Sequence, residues 1–155
     1  MSVHAGPTDN DQSERQERLA ILARAPEALL ETAWQEFPDK PDLTVVRPPE
    51  TGLLMVRGRA GGAGQQFNGG EVPVTRAAIS LPDGTMGYGY VLGQRSRHAE
   101  LAACFDAMAA GGERSAEVRE RVLEPAARRI EADEQAARER AAATRVDFST
   151  LVREG

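Results

Sequence analysis

The chain has 155 residues, 41% of them apolar, enough to bury one core and too few for a second full domain. Its formal net charge of −5 argues against the basic field that nucleic-acid binding needs. With a single cysteine, Cys104, no intrachain disulfide can form, and no apolar run approaches the roughly 20 residues of a membrane span, so a cytoplasmic protein is expected.

The first ten residues (MSVHAGPTDN) read as a disordered leader and residues 11–155 as one domain. Helical period begins at Asp11, with Leu19, Leu22 and Ala23 on one side. Pro26 suits the first turn of a second helix. Leu29, Leu30, Ala33, Trp34 and Phe37 form its apolar face, and Pro38 and Pro41 end it. The period then changes. Residues 43–47 and 52–59 read as two strands, followed by a glycine-dense loop over residues 58–71. Residues 72–81 and 86–92 flank Pro82-Asp83-Gly84, in which proline pre-sets one corner and glycine tolerates the next. That is a hairpin.

Helical period returns after Gly93. Ser96 is the expected cap of a helix with Leu101, Phe105 and Met108 on one face, stopped by Gly111-Gly112. Ser115 is the expected cap of a last helix running toward Thr144, with Pro125 kinking or splitting it. Helices, then a meander, then helices predict an α+β fold with an antiparallel sheet of about four strands.

Candidate chemistry is sparse. The glycine loop, with Gly61, Gly62 and Gly64, offers backbone N–H groups to an anion, assisted by Arg57 and Arg59. It lacks the lysine and hydroxyl of a phosphate-binding P-loop and leads into a strand, so the plainer reading is a mobile or partner-docked loop. His98 and Glu100, at the start of the third helix, are candidates for acid–base work, with Arg76 beside them in an enzyme reading. The plainer reading of His98 is a capping or interface residue. No histidine or cysteine spacing supplies a metal set. In the hairpin, a register with Leu81 opposite Thr85 pairs Ile79 with Gly87 and Ala77 with Gly89. One face is then flat enough for a helix to approach closely. The other face carries Arg76 opposite Tyr90 and Ala78 opposite Tyr88, read either as an ordinary polar face or as a partner interface. Phe148 in the tail joins the expected interface.

Several runs, in order, resemble the PhnG family of the bacterial carbon–phosphorus lyase pathway. They are Glu50-Thr51-Gly52-Leu53, Gly61-Gly62-x-Gly64 with Phe67 and Gly70-Glu71, and Thr75-Arg76-Ala77. Asp83-Gly84-Thr85-x-Gly87-Tyr88, Gly93, His98-Ala99-Glu100, Asp106-Ala107 and the tail Arg145-Val146-Asp147-Phe148-x-Thr150-x-Val152-Arg153 follow. The resemblance covers roughly Leu19 to the C-terminus. It implies a hetero-oligomer with PhnI as closest partner, PhnH and PhnJ in the core complex, and PhnL acting with them. The implied reaction places methylphosphonate on the ribose of ATP and releases adenine. It also implies that S-adenosylmethionine and an iron–sulfur cluster serve PhnJ, and this chain lacks the three cysteines such a cluster needs. No established catalytic residue carries over. The expectation is an accessory subunit with no cofactor of its own; a self-contained small-molecule enzyme and a free-standing phosphonate-binding module are the alternatives.

Overall fold

The computed structural model of the chain describes residues 6–59, 64 and 66–153. Helix α1 (Asp9–Arg24) starts earlier than the apolar period suggests, because Thr8 builds a capping box. Its hydroxyl accepts from the Asp11 N–H, and the Asp11 carboxylate accepts from the Thr8 N–H. Helix α2 (Glu27–Glu36) has Pro26 as its N-cap, one position before the first turn.

Three strands follow: β1 (Thr44–Arg59), β2 (Gln66–Ser80) and β3 (Met86–Leu92), antiparallel in the order β1-β2-β3. The α+β class with an antiparallel sheet is as expected, with three strands in place of about four. The two short strands predicted over residues 43–47 and 52–59 are one. Pro48 and Pro49 fall in an irregularity between Arg47 and Glu50, on an edge strand, where a missing N–H breaks no ladder. The glycine stretch is shorter than expected because β2 already pairs from Gln66, with a further shift beside Gly69 and Gly70 (φ 125°).

Helix α3 (Ser96–Ala110) lies across the sheet, then α4 (Ser115–Val118), a π-helical turn (Arg119–Leu123) and α5 (Glu124–Arg153). Ser96 and Ser115 are first helical residues rather than caps; Arg95 and Arg114 hold the cap positions without side-chain hydrogen bonds. The helical stretch from Ser115 is interrupted near Pro125, as expected, rather than ended there: α4 and α5 are separated by the π turn. The wider π turn stands just before it, where an α-helix would need a proline N–H to reach the Arg121 carbonyl.

The core has two parts. Leu22, Leu30, Phe37, Leu101, Phe105, Met108, Val118 and Val122 join the helices. Trp34 meets the Phe105 ring edge-on at 5.7 Å. Ala77, Ile79, Val91, Ala99, Ala103 and Cys104 join α3 to the sheet.

Candidate functional site

The site begins with how closely α3 approaches β3. Strand pairing sets Ile79 opposite Gly87 and Ala77 opposite Gly89, the predicted register. A Cβ on Gly87 would stand 2.2 Å from the Ala103 carbonyl oxygen, and one on Gly89 would stand 2.1 Å from that of Ala99. The helix backbone therefore rests directly on the strand. Since side chains alternate along a strand, one sheet face is sealed by α3 and the other is left open.

The open face carries Arg76 opposite Tyr90, and Ala78 opposite Tyr88, on β2 and β3. On β1, Arg47 pairs with Ala78, and Glu50 with Arg76. Between them is an open groove of about 380 Å³ lined by Val46, Arg47, Arg76, Met86, Tyr88 and Tyr90. Tyr90 is 52% exposed, and Leu92 beyond it 68%. Among the described residues, neither Arg47 nor Arg76 has an ion-pair partner. The cation over an aromatic ring here is Arg15 from α1, 5.1 Å from the Tyr88 centroid, and not Arg76.

Two buried polar groups hold this face in place. Asp106 of α3, fully buried, accepts from Arg18 Nε at 2.8 Å and from the Tyr88 backbone N–H at 2.8 Å, with Arg15 at 3.6 Å. One carboxylate thus ties α1, α3 and the outer edge of β3 together. Thr75, also buried, accepts from the Arg95 N–H (3.0 Å) and donates to the Gly93 carbonyl (2.6 Å). Its proton being committed there, the Thr51 hydroxyl at 2.9 Å is the donor in their contact. Asp106 is the one charge between Leu101 and Ala110, a mark that could have found it in the sequence; Arg15, Arg18 and Arg47 carry no such mark.

The other candidates lie apart. His98 is 2% exposed, and its Nε2–H donates to the Leu22 carbonyl at 2.9 Å, so it fastens α3 to α1. Its Nδ1 is buried with no partner among the described residues. Glu100 accepts from Arg97 at 3.0 Å. The sheet stands between these two and Arg76. Arg57 is exposed on β1 and Gly64 is exposed, whereas Gly61, Gly62 and the side chains of Arg59 and Phe148 lie outside the described residues. Burial, reinforced by the Glu100 charge, pushes the Cys104 thiol up to about 12. Among the described residues no group of three or more His, Cys, Asp or Glu gathers as a metal site, and no helix is long and apolar enough to cross a membrane.

Against known proteins, residues 13–154 match the family model described as phosphonate metabolism protein PhnG. The chain is 44% identical over 153 residues to the Rhizobium meliloti (strain 1021) protein named alpha-D-ribose 1-methylphosphonate 5-triphosphate synthase subunit PhnG, covering 97% of each. Likeness that spans both chains end to end extends the ordered runs from Glu50 to Arg153 to the whole fold, and the chain belongs to the PhnG family.

Proposed function

We propose that the chain is an accessory subunit of alpha-D-ribose 1-methylphosphonate 5-triphosphate synthase in the cytoplasmic carbon–phosphorus lyase complex. In that reaction a phosphonate oxygen bonds to C1′ of the ATP ribose as the bond from C1′ to adenine breaks. The observation that carries the reading is the end-to-end likeness to a subunit of that synthase. The site's character supports it. Arg76 and the pair His98 and Glu100 lie on opposite sides of the sheet, and His98 is spent on packing α1. The open Arg–Tyr face is suited to contact rather than to turnover. PhnI is the closest partner in this reading, with PhnH and PhnJ in the core complex and PhnL acting with them.

Adenine release from ATP plus methylphosphonate tests it. The purified chain alone releases none; PhnI, PhnH and PhnL together with the chain release it, and leaving the chain out abolishes or sharply lowers the rate. Adenine released by the chain alone, or an undiminished rate without it, would refute the assignment.

A further inference from the structure

We propose that the open sheet face around Arg47, Arg76, Tyr88 and Tyr90 is the seat of an acidic segment of another synthase subunit, one that carries carboxylates between apolar side chains. The proposal rests on the reading of the chain as a synthase subunit and adds which surface is used and what it recognises.

Charge is the first argument. The chain is acidic overall, yet Arg47 and Arg76 stand on this face without ion-pair partners among the described residues. Arginine paired with tyrosine is the composition of interface anchors: the guanidinium gives a planar fork for a carboxylate, and the ring adds area at small entropic cost. Continuity is the second. By strand alternation Leu54 and Val56 of β1 share the face with Val72, Val74 and Leu92, an apolar track running on from the groove. Leu54, Val56 and Leu92 are exposed along it. A free anion would have no use for that track, whereas a polypeptide would cover both it and the cations.

Preorganisation is the third. Tyr88 is held at both ends, its backbone N–H on Asp106 and its ring under Arg15. Arg76 follows Thr75, whose hydroxyl is locked between β1, the Gly93 carbonyl and the Arg95 N–H. The backbone beneath the face and the Tyr88 ring are held in advance, so a partner orders the exposed arginines and its own segment but not the sheet.

The test co-expresses the tagged chain with PhnI, PhnH and PhnL and measures what co-elutes. Wild type retains at least one subunit. Arg47→Glu/Arg76→Glu lowers that retention at least tenfold with an unchanged melting temperature, while Arg119→Glu/Arg128→Glu, the same charge change on two exposed helical positions, retains it. A photo-crosslinking residue in place of Tyr90 marks an acidic stretch of the retained subunit.

Equal retention by the double variant would overturn the seat and leave the subunit reading standing, as would a crosslink to a second copy of this chain. Retention of nothing by wild type would remove the subunit reading and the seat with it. Saturable binding of ATP or methylphosphonate to the isolated chain, lost in Arg47→Glu/Arg76→Glu, would give the groove to a small oxyanion instead.

Discussion

Gly87 and Gly89 set the distance between β3 and α3, and through it the shape of the sheet. Their missing side chains are occupied by helix backbone, which has no rotamer with which to yield. Gly89→Ala should therefore cost about 3 kcal/mol or more, above the usual range for overpacking. Gly52→Ala is the matching control. A Cβ there meets nothing within 4 Å, and the change should stay within about 0.5 kcal/mol. Urea denaturation of both variants gives the comparison, and equal midpoints would show that α3 can lift off the strand. Cys104 on the buried face of α3 makes a second residue-level case. With burial holding its thiol at about 12, almost no thiolate exists at pH 8. Iodoacetamide should label it slowly in the native chain and rapidly in denaturant, as mass spectrometry would read.

At the scale of elements, the sheet has two edges and treats them differently. The β3 edge is closed by α1, and Asp106 is the fastening. Asp106→Ala should cost roughly 3–5 kcal/mol, since it strands the Arg18 charge and the Tyr88 N–H at once. Asp106→Asn, which keeps an acceptor oxygen, should cost less. Hydrogen exchange at the Tyr88 amide reads the same event locally, accelerating in step with the loss. Helix α3 is also joined to α2, by the paired contacts of Arg97 Nε and Nη2 with Glu31 at 2.7 and 2.9 Å. The hydrogen bonds and charge of Arg97 hold the Glu31 carboxyl below its ordinary 4.5. A lowered folded-state value means the contribution is complete above about pH 4.5 and fades as pH falls through the folded value. Wild type should then lose stability more steeply below that pH than Glu31→Gln does. Parallel slopes would show that the pair contributes nothing in solution.

The hairpin of β2 and β3 was legible because two independent signals agree. A Pro-Asp-Gly turn fixes the register, and glycines at alternate positions mark the face on which a helix must lie. The single long β1 was not, because two prolines look like a boundary; their tolerance depends on being at an edge, which is a fact of neighbours. The π turn before Pro125 was hidden likewise, since a proline announces a defect but not how the helix absorbs it. At the site, Tyr88, Tyr90 and Arg76 were legible from strand alternation alone. Arg47 joins them only through the irregularity after it, and Asp106 finds Arg18 88 residues away in the chain.

At the scale of the whole molecule, the helices cover one side of one end of the sheet, and the remainder of β1 and β2 projects as a two-stranded arm. By alternation Leu53 and Met55 lie on one face of that arm, Leu54 and Val56 on the other. All four are exposed, Leu53 by 70%. These side chains keep roughly half or more of their surface in water, so polar replacements should cost the fold of the free chain little. An apolar, unpaired edge strand is, however, a template for association. Leu53→Lys/Met55→Glu, on the face away from the Arg–Tyr groove, should leave the melting temperature of the isolated chain unchanged and raise the concentration at which light scattering first detects aggregates. A fall of several degrees in melting temperature would mean that the arm is packed in the free chain. An unchanged aggregation threshold would place the self-association on another surface.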